Sequence, residues 1–335
     1  MTAHARILFR VNGDVTLGLG HISRCRSLML ALSGQAECRF FVMTDNRDVV
    51  TRALSDIAYE LYETGDAIRG GPQFSFVIVD VPNLGGVKEE FREIADLIVC
   101  LDDSGPGLGS QDILIRPNLL RLPRPAEILE DRYWSGQVIL HPDFAMLSQI
   151  PTIEKPLGQK ELFVCFGGSD PCGITLRALP LLKLLGNDVL IRVVIGAAFP
   201  HGETVTTVVG RDARFILERN IPDMARVLRN ADVALISGGT LLYEACASGI
   251  PSIVMCQNGD QLAEADVAHA AGAVISLGIS ANVPDENILS AVERLLGSDS
   301  LRQKMAGAGR LLVSPDGAEQ LATRLLSCLI KRGRA

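Results

Sequence analysis

Continuous apolar runs of strand length alternate with helix-period segments along almost the whole chain. The first series is "RILFRV" (6–11), "CRFFVMT" (38–44), "FSFVIVDV" (74–81), "DLIVCLDD" (96–103) and "DILIRPN" (112–118). The second is "KELFVCFGG" (160–168), "DVLIRVVIG" (188–196), "ARFILER" (213–219), "DVALISGG" (232–239) and "PSIVMCQ" (251–257). Unbroken runs of this kind mark parallel strands buried on both faces, because an antiparallel sheet with one wet face reads as alternation instead. The intervening segments have helical spacing; from His21 onward Ile22, Cys25, Met29 and Leu32 fall on one face. The two series are separated by a proline-containing stretch of mixed polarity near 145–159, which reads as a linker. With 335 residues, 47% of them hydrophobic, the chain can fill two cores of ordinary domain size. The fold class expected is α/β, with two domains that each carry a mostly parallel sheet.

Composition removes several functions. The formal net charge is −7 and the terminal "KRGR" is the one basic run, so no nucleic-acid partner is expected. No apolar stretch reaches the ~20 residues that span a bilayer. The start "MTAHARILFRV" lacks a signal-peptide core, and a cytoplasmic enzyme is the default expectation. The eight cysteines form no C-x-x-C pair and sit mostly in apolar runs, so neither a metal site nor a disulfide is expected.

Glycine-rich turns follow four of the apolar runs: "NGDVTLGLGH", "FGGSDP", "ISGGT" and, more loosely, "CQNGDQ". Glycine lets an anion approach the backbone, and the helix that follows offers free N–H groups and a positive end. Several such turns point to a phosphate-containing ligand. "GLGHIS" lacks the third glycine of a dinucleotide fingerprint, so an NAD-linked oxidoreductase rests on it and Asp45 alone, and no G-x-x-x-x-G-K-[ST] loop is present. His21 stands just past a glycine turn at a helix start, where the positive helix end favours the neutral ring that can accept a proton. Asp80, Asp102 and Asp103 end apolar strands, the edge at which open α/β sheets bind ligands, although Asp103 can equally cap the next turn.

The stretches "GLGHISRC", "LDD" (101–103), "HPDFAMLSQIP", "FGGSDPCGIT" and "ADVALISGGTLLYEACASGIPSIVMCQNGDQ" occur in this order in one family. Over most of residues 6–275 the chain resembles the nucleotide-sugar hydrolases of the PseG and SpsG type, and its C-terminal block is similar to that of the MurG-like transferases. The resemblance implies the GT-B fold, two Rossmann-like domains with mostly parallel sheets facing across a cleft. It implies an N-terminal domain over 1–148 with the catalytic histidine loop, a nucleotide-binding domain over 149–312, and a C-terminal helix in 313–335 returning to the first domain. The implied reaction is release of UDP from a UDP-linked diacetamido-trideoxyhexose by water attack at the anomeric carbon, with no cofactor or metal. His21 matches the family's base.

Asn12 stands where the family often has aspartate, and Asp14 is the carboxylate able to replace it. Gly18 and Gly20 frame the loop, and Arg24 can meet phosphate or form an ordinary salt bridge. For the nucleotide the resemblance points to Gly167, Gly168 and Ser169, to Ser237, Gly238, Gly239 and Thr240, and to Glu244 for the ribose hydroxyls. Thr240 can cap its helix, donate to phosphate, or do both. Ile216 or a neighbour is expected to present backbone groups to the uracil edge. Gln261 is expected on sugar or phosphate oxygens, and Asp260 on sugar hydroxyls or amides. A GT-B glycosyltransferase with a sugar or lipid acceptor is the alternative, and a non-catalytic nucleotide-sugar-binding protein a third reading.

Overall fold

The computed structural model describes residues 5–12, 20–44, 47, 50–51, 54, 57, 59–62, 73–81, 91–101, 112–115, 117–121, 138–139, 142–147, 159–196, 199–219, 221 and 224–332. The chain divides into two compact units, Met1–Leu147 with Asp316–Ala335, and Ser148–Pro315.

The first unit runs β1 (Ala5–Asn12), α1 (Gly20–Leu32), β2 (Ala36–Met43), β3 (Tyr59–Tyr62), β4 (Phe74–Asp80), β5 (Ala95–Leu101), β6 (Ile113–Ile115) and β7 (Val138–Ile139). Its sheet has the order β3-β2-β1-β4-β5-β6-β7, and every pairing is parallel. Both faces are covered, which is why the strands read as unbroken apolar runs. On one face Ile7, Phe9, Val11, Phe76, Ile78 and Val99 pack against Ile22, Cys25, Leu28 and Leu32 of α1. On the other, Leu8, Val77, Val79, Ile98 and Cys100 form a second core with Phe91 and Ile94. Phe9 and Phe40 face each other in the β1–β2 register and stack with centroids 5.0 Å apart. The strands β3 and β7 have no counterpart among the sequence-derived runs. They are short edge elements of four and two residues, below the length at which periodicity carries a signal.

The second unit runs β8 (Lys160–Cys165), α2 (Ile174–Leu182), β9 (Val189–Ile195), α3 (Gly202–Val209), β10 (Phe215–Arg219), α4 (Met224–Leu228), β11 (Val233–Ile236), α5 (Thr240–Ser248), β12 (Ser252–Cys256), α6 (Gly259–Ala270), β13 (Val274–Ile279), α7 (Asp285–Gly297) and α8 (Asp299–Leu312). Its sheet order is β10-β9-β8-β11-β12-β13, again all parallel. This 3-2-1-4-5-6 order is that of the Rossmann fold, and the first sheet has the same order with one strand added. Leu162, Val164, Ile191, Val193 and Leu235 of the sheet pack on Ala178, Leu179, Val205, Ile288 and Val292 of α2, α3 and α7. β13 was not among the expected strands: Ser276 and Gly278 dilute its apolar character.

After Pro315 the chain returns to the first unit as α9 (Gly317–Arg332). Leu321, Ala322 and Leu325 are fully buried in the core shared with α1 and the sheet. Gly317 begins the helix against bare backbone, since a Cβ there would lie 2.2 Å from the Ala145 carbonyl oxygen. Leu325→Ala should therefore lower the stability of the first unit by about 2–5 kcal/mol, read from its urea transition. A change under about 1 kcal/mol would show that α9 is not part of that core.

Candidate active site

Asp80 ends β4, and the parallel register places Val11 of β1 beside it. The strand order reverses between β1 and β4, so Asp80 stands at the switch point where open α/β sheets bind ligands. Side chains two apart share a sheet face, so Asp80 projects to the side of Phe76 and Ile78, which α1 covers. His21, Arg24 and Cys25 lie on one face of α1 by i, i+3 and i+4 spacing, and all three meet the Asp80 carboxylate.

The carboxylate is fully buried. Oδ1 accepts from His21 Nδ1 at 2.6 Å and from Arg24 Nη2 at 2.5 Å. Oδ2 accepts from Arg24 Nε at 2.6 Å and from the Cys25 thiol at 3.5 Å. These four donors occupy the roughly four lone-pair sites of a carboxylate. Burial alone pushes the Asp80 pKa up. The charge of Arg24, its hydrogen bonds, and then those of His21 outweigh burial and hold the carboxyl below its ordinary value. Burial, followed by the Asp80 charge, pushes the Cys25 thiol well up, so it remains a protonated donor.

An ionised Asp80 accepts only, so the 2.6 Å contact requires the proton of His21 on Nδ1. Arg24 Nη2 lies 3.1 Å from Nδ1. Neither is an acceptor in that state; the two donors converge on one Asp80 oxygen. Nε2 is then the nitrogen with the lone pair, on a side chain that is partly exposed. Of the two expectations for Arg24, phosphate or a salt bridge, the structure shows a salt bridge: two of its donors grip Asp80, behind the histidine.

Asn12 ends β1 one residue past the Val11–Asp80 pair. Its Oδ1 accepts from Arg10 Nη1 at 2.7 Å, and the buried Arg10 also donates to the Val11 carbonyl. An amide held this way offers hydrogen bonds and is no base. Gly20 is exposed and opens α1. The expected Asp14 and Gly18 lie outside the described residues, as do Asp45, Asp102 and Asp103.

In the second unit the order reverses between β8 and β11, and the glycine turns follow these strands. Gly167 has φ +92°, a conformation that favours glycine, and Gly168 is exposed. Gly196, beyond β9, lets the turn lie close: a Cβ there would come within 2.4 Å of Gly168 Cα. The helix after Ser169 was expected to receive a phosphate. Instead Asp170, buried and at φ 42°, accepts from the amides of Ile174 and Thr175 at 3.0 and 2.7 Å. The first amides of α2 are therefore taken by a side chain of the chain itself, which leaves the backbone of Gly167–Ser169 for a ligand.

The start of α6 is likewise capped, by Asn258, whose Oδ1 accepts from Gln261 N at 3.0 Å. The start of α5 differs. Gly239 precedes it with no side-chain cap, Thr240 is exposed, and Ser237 and Gly238 are buried behind them. Gln261 lies against this turn. A Cβ on Gly238 would meet Gln261 Cβ at 2.9 Å, and one on Gly239 would be 3.9 Å from Gln261 Nε2. Gln261 Oε1 accepts from Gln257 N at 3.0 Å, so the amide nitrogen is the end near Gly239. Glu244, one turn inside α5, is buried. Burial pushes the Cys165 thiol up to about 12; a backbone hydrogen bond with Gly167 opposes this, and the charges of Glu244 and Asp170 add to it.

Two expectations need correction or narrowing. Ile216 is the second residue of β10, paired with Arg192 of β9. Arg214 O accepts from Ile191 N, so by the parallel ladder Ile216 also turns its backbone groups to β9, and they are spent there rather than offered to a base. Asp260 is exposed in the first turn of α6, where a negative charge suits the helix end. The expected catalytic set did not include Asp80; its position after the apolar run Phe76–Val79 was legible, but its neighbours were not. Gly196 was also missed.

No family model matches the chain. The spore coat polysaccharide biosynthesis protein SpsG of Bacillus subtilis is 32% identical over 320 residues, covering 91% of this chain and 93% of its own. The UDP-GlcNAc 2-epimerase of Neisseria meningitidis bound to UDP-GlcNAc has a TM-score of 0.63 at 12% identity, covering 96% of this chain and 100% of that one. MurG of Acinetobacter baumannii has a TM-score of 0.61 at 14% identity over 96% and 99% of the two chains. At these identities the structural likeness is one of fold, and the chain has the GT-B fold of two Rossmann-like units. Among the described residues no helix is long and apolar enough to cross a membrane.

Because the folded-state pKa of Asp80 lies below its unfolded value, its contribution to stability is complete above that unfolded value, about 3.9, and is lost as pH falls below it. Asp80→Asn removes the titrating group. The fall in urea midpoint from about pH 4 to about pH 2 should be shallower in the variant than in the unaltered chain. Equal slopes would contradict the assignment of a depressed pKa to Asp80.

Proposed function

The chain belongs to the family of the spore coat polysaccharide biosynthesis protein SpsG, and from that membership we propose that it is a nucleotide-sugar hydrolase. It releases UDP from a UDP-linked diacetamido-trideoxyhexose by attack of water at the anomeric carbon, in surface-polysaccharide or nonulosonic (pseudaminic-type) acid biosynthesis. The observation that carries the reading is the 2.6 Å contact between His21 Nδ1 and the buried Asp80 carboxylate, which leaves Nε2 as a proton acceptor. A base must have a lone pair where the water proton leaves and a partner for the charge it gains. His21 has both.

In the proposed reaction, Nε2 takes a proton as the water oxygen bonds to the anomeric carbon, and the bond from that carbon to the UDP oxygen breaks. The imidazolium formed is stabilised by Asp80, which Arg24 keeps ionised and in place. The second unit seats the nucleotide. Its Gly167–Ser169 backbone, the uncapped start of α5 and the Gln261 amide are donors for a diphosphate, whose charge grows as UDP leaves. Buried Glu244 is assigned to the ribose hydroxyls. UDP as the nucleotide draws support from the Neisseria epimerase of the same fold, bound to UDP-GlcNAc.

The test is nucleotide release from a panel of UDP-, CMP- and GDP-linked amino sugars with no acceptor added. UDP release by the unaltered chain is expected. His21→Ala should lower it about 100- to 10,000-fold, and Asp80→Asn by at least about 100-fold. Release only when a sugar or lipid acceptor is added would replace the hydrolase with a glycosyltransferase. Binding without turnover would leave a nucleotide-sugar-binding protein.

A further inference from the structure

Gln257 follows the last residue of β12 and belongs to none of the groups assigned so far. It joins three elements. Its side-chain Nε2 donates to the Phe166 carbonyl at 2.6 Å, its backbone N–H donates to Gln261 Oε1 at 3.0 Å, and its carbonyl accepts from the Cys172 thiol at 3.8 Å. Phe166 is the buried residue that leads from β8 into Gly167, the glycine at φ +92°. Cys172 lies on the far side of the same turn, just before α2. Gln261 is the residue whose amide nitrogen is near the Gly239 turn.

We infer that Gln257 is a positioning residue of the nucleotide seat: its side chain fixes the Gly167–Ser169 turn through the Phe166 carbonyl, while its backbone sets the Gln261 amide with its nitrogen toward Gly239. This inference rests on the proposed seating of UDP in the second unit. It adds what makes that seat rigid. The Phe166 peptide precedes a glycine, which by itself resists few rotations. A carbonyl buried at that point keeps its direction only while its hydrogen bond holds, and leaving it unsatisfied is costly. The same residue removes the ambiguity of the Gln261 amide, because a backbone N–H must meet an oxygen. Gln261 is thereby a donor to whatever lies at Gly239, suited to a phosphate or other acceptor oxygen. Gln257 belongs to the second unit and the His21–Asp80 pair to the first.

Two substitutions test this. Gln257→Met keeps the length and removes the donor; Gln257→Glu keeps the shape and turns an acceptor toward the Phe166 carbonyl. Calorimetric titration of the full chain with UDP should show binding weakened about 5- to 50-fold in both. Circular dichroism confines the comparison to folded protein, and if one variant does not fold the other carries the reading. A lowered melting temperature with UDP binding within twofold in the folded variant means a structural role only and overturns the inference. Failure of the unaltered chain to bind UDP overturns the seating itself, and the inference with it.

Discussion

A carboxylate with no exposure to water must be neutralised or fully bonded, and Asp80 is fully bonded. The arrangement of His21, Arg24 and Cys25 follows from how that is done. The strand order puts Asp80 at the switch point, and side-chain alternation turns it toward α1. One helical face then delivers a guanidinium, a thiol and an imidazole to its two oxygens. Arg24 supplies the charge that outweighs burial, so Asp80 remains an anion. An anion at Nδ1 fixes the tautomer of His21 and thereby decides which nitrogen can work as a base. Arg24 matters because a buried charge left without its partner costs about 3–5 kcal/mol.

The second unit manages negative charge in another way. It has three helix starts after β8, β11 and β12, and two of them are filled by side chains of the chain itself, Asp170 and Asn258. The start of α5 is left without a side-chain cap, with Gln261 beside it. With the Asp170 side chain on the first amides of α2, the Gly238–Thr240 turn is the one of these three helix starts whose amides have no side-chain cap. The glycines contribute through close approach, Gly196 to Gly168 and Gly238 to Gln261, more than through flexibility.

The architecture was legible because buried parallel strands print themselves as apolar runs with glycine turns behind them. The runs at 6–11, 74–81, 160–168 and 232–239 are β1, β4, β8 and β11. What periodicity does not contain is lateral order. That Asp80 lies beside Val11, sixty-nine positions away in the chain, is a property of the sheet, and the role of Arg24 could not be read without it. Short edge strands such as β3 left no signal because four residues are too few. The expectation at Ile216 or a neighbour is narrowed for a related reason: residue type fits a strand, but only the register shows that the backbone of Ile216 faces β9. The capping by Asp170 is a side-chain role that the glycine pattern around it does not display.

The central claim is that His21 carries its proton on Nδ1 and leaves Nε2 open. The most direct measurement is the ¹⁵N NMR spectrum of the full chain labelled in its histidine rings, recorded for the neutral His21 ring and repeated with Asp80→Asn. The account predicts the Nδ1–H form in the unaltered chain and a loss of that preference in the variant. A neutral His21 with its proton on Nε2, unchanged by the substitution, would contradict it.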